Sequence, residues 1–216
     1  NDAGSASDRN SAIYTKFDLS GILLTSAYDT AFRMTYRNNN LAPNRIEDTV
    51  TPDPTVRTGM AIYGLNPNAV GASWSEGLIT YATAPGITPD ADVGTRDLNG
   101  DLMLLGTVEF PMVDPNLGHI PVGQALVFES ALLDQFVHDV IAGGFTELTL
   151  VSTTIHDGTA PFSTWLNFNY LFNPKEQTTL NTDLGSPYSQ ADNSTGAFSP
   201  SLFVEAAAVP EPATLA

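Results

Sequence analysis

Hydrophobic and polar residues alternate along much of this chain. Ile13, Thr15, Phe17 and Leu19 stand out of step with Tyr14, Lys16 and Asp18, the period of two that a half-buried strand requires. Tyr28, Thr30, Phe32, Met34 and Tyr36 repeat the pattern more strongly, with Asp29, Arg33 and Arg37 on the opposite face. Further strands are expected near Met60–Leu65, Leu102–Met112, Gln124–Glu129, Phe145–Thr153, Thr164–Phe172 and Ser201–Ala206. In the fifth of these, Leu166, Phe168, Tyr170 and Phe172 share one face, and Asn167 and Asn169 the other. Asn38 to Arg57, with prolines at 43, 52 and 54, reads as a long loop.

One stretch breaks the period. After Ser130, a good N-cap, the residues Leu132, Leu133, Phe136, Val137, Val140 and Ile141 recur at helical spacing, and Gly143-Gly144 stops the run. Many strands punctuated by Gly, Pro and Asn, with a single short helix, predict an all-β fold: an antiparallel, jelly-roll-like β-sandwich. Residues 1–11 form a polar N-terminal tail, 12–206 the sandwich, and 207–216 a Pro-rich C-terminal tail. No internal repeat is visible.

Composition narrows the function. At 42% hydrophobic, the 216 residues can bury a real core. Against 24 acidic residues stand 8 basic ones, a net charge of −16. That argues against nucleic acid, which needs clustered Lys and Arg, and against an anionic membrane surface. It suits divalent cations and neutral or cationic partners. The chain has no cysteine, which excludes disulfides and thiolate metal sites. No run of about 18 apolar residues exists, so the sequence is expected not to span a bilayer by a helix. The start, Asn1-Asp2-Ala3-Gly4-Ser5, reads like a processed or trimmed one rather than a targeting segment.

Three stretches together resemble the DNRLRE-type β-sandwich of secreted bacterial proteins. They are Tyr14-Thr15-Lys16-Phe17-Asp18-Leu19-Ser20, the run from Ser73-Trp74-Ser75-Glu76 through Ile79-Thr80-Tyr81 to Ala84-Pro85, and Phe198-Ser199-Pro200-Ser201-Leu202-Phe203-Val204-Glu205. The family's first strand, upstream of Phe17-Asp18, has no counterpart here; the polar tail takes its place. Asn173-Pro174-Lys175-Glu176 stands about where the family has its charged Arg-Glu segment. The octet Val209-Pro210-Glu211-Pro212-Ala213-Thr214-Leu215-Ala216 is similar to the start of a PEP-CTERM sorting signal. The helix and basic cluster that follow it in such proteins are not in this sequence, which fits removal during sorting or a truncated record. These resemblances imply export by a Gram-negative bacterium, to the cell surface or an extracellular matrix, and a structural or biofilm role.

Chemistry-bearing candidates are few. His119, His138 and His156 lie far apart beside different neighbours, without zinc-ligand spacing, and no Gly-x-Ser-x-Gly elbow or phosphate loop occurs. The expectation is therefore not an enzyme. Asp97, Asn99 and Asp101, with Gly100 between the last two, place oxygen donors at alternate positions, like half of a calcium loop; Asp90 and Asp92 could add charge. The competing reading is a solvated Asn-Gly turn. Trp74 beside Glu76, with Tyr63, Trp165 and Tyr170, suggests a sugar platform, although a Trp within a domain signature is more often core. Asn193-Ser194-Thr195 fits a glycosylation sequon, a weak signal in a bacterial chain.

The tail beyond residue 206 is more informative. In an extended strand, Pro210 and Pro212 delete donors along one edge, whereas Val209, Glu211 and Ala213 keep theirs on the other. Ala207, Ala208, Val209, Glu211 and Ala213 could thus pair as an added strand with a neighbouring subunit. Head-to-tail addition of that kind generates filaments, so a homo-oligomer or polymer is expected. The alternative function is a carbohydrate-binding module that holds exopolysaccharide.

Overall fold

A computed structural model of the chain describes residues 12–39, 59–88, 98–109, 125–154, 170–172 and 199–207. Eight strands and one α-helix lie within them: β1 (Ala12–Asp18), β2 (Tyr28–Asn39), β3 (Gly59–Leu65), β4 (Leu102–Glu109), β5 (Ala125–Glu129), α1 (Ala131–Ala142), β6 (Glu147–Thr154), β7 (Tyr170–Phe172) and β8 (Ser201–Ala206). Every pairing is antiparallel. The first sheet runs β1-β6-β3-β4. In the second, β2 pairs with β5 through Ala31–Thr35, with β8 through Tyr28–Arg33 and with β7 through Tyr36–Asn39. The expected antiparallel β-sandwich is thus what forms, with its one short helix.

The alternation read from the sequence explains the core. Phe32 and Met34 of β2 and Leu126 and Phe128 of β5 turn inward to meet Met60 and Ile62 of β3 and Leu148 and Leu150 of β6. Phe17 and Phe32 meet edge to face across the two sheets, their centroids 5.9 Å apart. Each such large side chain contributes about 1.5–3 kcal/mol on leaving water.

The helix begins and ends where its caps dictate. Ser130 Oγ accepts the N–H of Leu133 at 3.0 Å. At the far end Gly144 takes a left-handed φ of 78°. Its N–H donates to the Ile141 carbonyl, and that of Phe145 to Val140, the paired bonds of a Schellman cap. Leu133, Phe136, Val137 and Val140 face the core. Two side chains of this element also tie the sheets together. Ser130 Oγ donates to the Leu105 carbonyl of β4 at 3.0 Å, and Asp134 Oδ1 accepts the N–H of Thr30 in β2 at 2.8 Å. Thr30 needs that acceptor because β5 stops opposite Ala31, and the next residue along, Ser130, has already turned into the helix.

One expectation needs adjusting. Asn38 and Asn39 belong to β2, not to the loop, because a bulge after Tyr36 carries the strand on to pair with β7. Of the expected strand Leu102–Met112, residues 102–109 form β4 and 110–112 lie outside the described residues; of Thr164–Phe172, residues 170–172 form β7 and 164–169 lie outside them. The first sheet is covered on its outer side as well. The turn-rich segment 66–88 folds across it, so that Tyr14, Tyr63, Leu65, Leu102 and Val151 form a second small core with Ala69, Ala72 and Trp74. A period of two in β1 promised a half-buried strand; the segment covering its outer face lies some fifty residues away in sequence, beyond the reach of local pattern.

Candidate functional site

The covering segment is held by one polar and aromatic cluster. Lys16 of β1 donates through Nζ to the Trp74 carbonyl at 2.7 Å and to Glu147 Oε2 at 3.1 Å. The same ammonium stands 5.0 Å from the centroid of the Trp74 ring, within cation–π range. Trp74 Nε1 donates to Thr149 Oγ1 at 3.0 Å, and Tyr14 meets the indole edge-on at 5.7 Å. The Tyr14 hydroxyl donates to the Pro85 carbonyl at 2.7 Å, and burial pushes its pKa well above the ordinary tyrosine value. Trp74 is half-buried, its N–H satisfied and its ring in contact with an ammonium and a phenol. Chemically, the cluster pins the 66–88 segment to β1 and β6. Glu76 is exposed on the same segment and Tyr63 is half-buried beneath it. Trp165 and the side chain of Tyr170 lie outside the described residues.

The acidic turn is placed in part. Asn99 Oδ1 accepts the N–H of Asp101 at 2.9 Å, the backbone N–H of Asn99 donates to the Gly86 carbonyl, and its carbonyl accepts from Leu102. With Leu98 bridging Ile87, the turn fastens the end of the covering segment to the start of β4. Asp97, Asp90 and Asp92 lie outside the described residues. The amide oxygen of the central candidate donor is thus engaged on backbone, leaving Asp97 and Asp101 as the carboxylates of the set. Among the described residues, no three His, Asp or Glu side chains gather closely enough to hold a metal ion. His138 sits on α1, 3.2 Å from Asp139 and 6.3 Å from the ring of Tyr28; His119 and His156 fall outside the described residues.

Of the strand-forming tail, Ala207 is described. Its N–H donates to the Ala27 carbonyl at 3.1 Å, which carries the β8–β2 ladder one step further. Ala208, Val209, Glu211 and Ala213, and with them the Val209-Pro210-Glu211-Pro212 motif, lie outside the described residues. No helix among the described residues is long and apolar enough to cross a membrane.

No protein-family model and no curated protein matches this chain. Neither resemblance gains support from these comparisons; each rests on its quoted residues alone. Of these, Trp74 and Pro85 prove to be the anchors of the covering segment, and Ser201–Glu205 is most of β8.

Two features escaped the reading of the sequence. The Lys16–Trp74–Glu147 contact joins three distant segments and leaves no local signal. The second is β4, where Met103 and Leu104 remain 45% and 49% exposed. Its signal was present in the apolar run Leu102–Leu105, which alternation alone would not bury on both faces.

Proposed function

We propose that this chain is a secreted, non-catalytic structural protein of a bacterial cell surface or extracellular matrix, self-assembling by strand addition between subunits. The supporting observation is where the aromatic side chains sit. Among those described, Phe203 alone is exposed; Tyr14, Phe17, Tyr28, Phe32, Tyr63, Trp74, Phe128, Phe136 and Phe145 are buried or half-buried in the two cores and beneath the covering segment. A module that grips polysaccharide through ring stacking needs a row of open aromatic faces, and Trp74, the leading candidate, spends its ring and N–H on Lys16, Tyr14 and Thr149. What the fold offers a partner is strand margins. Residue 207 leads from β8 directly into a segment whose prolines permit pairing along one side alone. The PEP-CTERM-like octet in that segment supports export and surface sorting in a Gram-negative bacterium.

Electron microscopy of the purified full chain beside a form lacking residues 208–216 tests this reading. Filaments are expected from the full chain and monomers from the shortened one. Monodisperse monomers from both would end it.

A further inference from the structure

The sequence contains one Asn-Gly pair, Asn99-Gly100, and the structure sets it in the turn that fastens Ile87 to the start of β4. Asparagine followed by glycine is open to attack from within. The glycine nitrogen lies within reach of the side-chain amide carbon, and the missing Cβ leaves that nitrogen unshielded. Gly100 is exposed, and a Cβ built on it would meet nothing within 4 Å. Its surroundings, by contrast, are held. The Asn99 N–H donates to the Gly86 carbonyl at 3.0 Å, the Asn99 carbonyl accepts from Leu102 at 3.2 Å, and Leu98 bridges Ile87.

Both ends of the Asn99 amide have partners suited to such an attack. Oδ1 accepts the N–H of Asp101 at 2.9 Å. Negative charge gathers on this oxygen as the amide carbon becomes tetrahedral, so the Asp101 N–H is placed as an oxyanion donor. The same bond fixes which end of the amide is oxygen and which is nitrogen. Nδ2, the leaving group, donates to Thr88 Oγ1 at 3.4 Å. Once the carbon is tetrahedral that nitrogen carries a lone pair, and the hydroxyl can return a proton to it. Thr88 thus stands where departing ammonia needs a proton donor.

We infer that Asn99 is a self-modification site: it deamidates through a cyclic imide formed with Gly100, and the product loosens the end of the 66–88 segment. The atoms balance with water as the sole co-reactant. The Gly100 nitrogen bonds to Asn99 Cγ, the Cγ–Nδ2 bond breaks, and the proton given up by the Gly100 N–H leaves with ammonia. Water then opens the imide. Cleavage between the ring nitrogen and Cγ gives aspartate; cleavage between that nitrogen and the former main-chain carbonyl carbon gives isoaspartate. Either product weakens the turn. Aspartate has no N–H to give Thr88 and sets a carboxylate two residues from that of Asp101. Isoaspartate sends the main chain through Cβ and Cγ, one atom longer, and the carbonyl that accepts the Leu102 N–H leaves the chain as a free carboxylate. The Ile87–Leu98 bridge adjoins this change, so the hold of the covering segment on β4 is what slackens.

The test incubates the full chain at neutral pH and body temperature, with and without urea, then digests it for mass spectrometry. Exchange of –NH2 for –OH shifts the mass of the peptide that holds Asn99, and labelling by isoaspartate methyltransferase separates the two products. In the folded chain, conversion at Asn99 ahead of every other asparagine is expected. Thr88→Val is expected to slow it several-fold in buffer and to leave it unchanged in urea, where the hydroxyl is no longer held beside the amide. Gly100→Ala, for which there is room, is expected to slow it under both conditions. An Asn99 that keeps its amide in the folded chain yet converts in urea, or a Thr88→Val variant that converts as fast as the parent in buffer, would overturn the inference. Hydrogen exchange reads the loosening. The amides of Thr83 and Ile87, bonded to the Thr80 and Ala84 carbonyls, are expected to exchange faster in the converted chain, with β6 unchanged. Equal rates before and after conversion would also overturn it.

Discussion

At the scale of single residues, a few contacts have consequences that exceed their size. Gly64 lies directly under the Phe136 ring, and a Cβ there would stand 2.6 Å from ring carbons. Gly64→Ala is expected to cost about 1–3 kcal/mol by overpacking, read from urea unfolding, with part of the loss restored by Phe136→Leu. Asp134→Ala strands the buried N–H of Thr30 and is expected to cost about 1–3 kcal/mol, while Asp134→Asn keeps an acceptor and costs less. Two titrations carry a sign. Hydrogen bonds from the Ser20 hydroxyl and N–H hold the Asp18 carboxyl below its ordinary value. A folded value below the unfolded one gives stability that is present above the unfolded value and lost as pH falls through the folded one. Ser20→Ala should therefore raise the Asp18 titration midpoint in an NMR experiment without removing the backbone contribution. Tyr14 runs the other way. Its folded value lies above the unfolded one, so stability is full below about pH 10 and declines as pH rises beyond it; Tyr14→Phe should flatten that decline.

Elements obey rules that were largely legible in the chain. The alternation in Tyr28–Met34 translates into the inward row of β2, and the Ser130 and Gly143-Gly144 punctuation into the two ends of α1. These signals are local, a side-chain period or a cap, and local signals survive folding. What could not be read was non-local. The covering of β1 by residues 66–88 depends on a Lys, a Trp and a Glu that share no spacing. The extension of β2 to Asn39 depends on a partner, β7, that arrives from more than a hundred residues away. Among the site candidates, the turn reading of Asn99 was available from the Asn-Gly dipeptide, and the structure makes that turn a fastener for the covering segment. The helix start is the joint where these elements meet. Ser130→Ala removes both the cap to Leu133 and the bond to Leu105, and is expected to cost about 1–2 kcal/mol by thermal or denaturant unfolding.

For the whole molecule, charge decides how copies approach one another. Each subunit carries −16, so the strand addition proposed above would have to proceed against mutual repulsion. Raising salt from about 0.01 to 0.15 M shortens the screening length from about 30 to 8 Å. The concentration at which light scattering reports filaments is therefore expected to fall over that range; a rise would mean that attraction between opposite charges governs assembly. The way β8 leaves the fold has a mechanical consequence. Traction on residues beyond Ala207, drawn in line with β8, loads every rung from Tyr28–Ala206 to Arg33–Ser201 at once, in shear. Bonds strained in parallel yield only together, so a filament strung through these tails would resist tugging far better than the same six rungs peeled apart one after another.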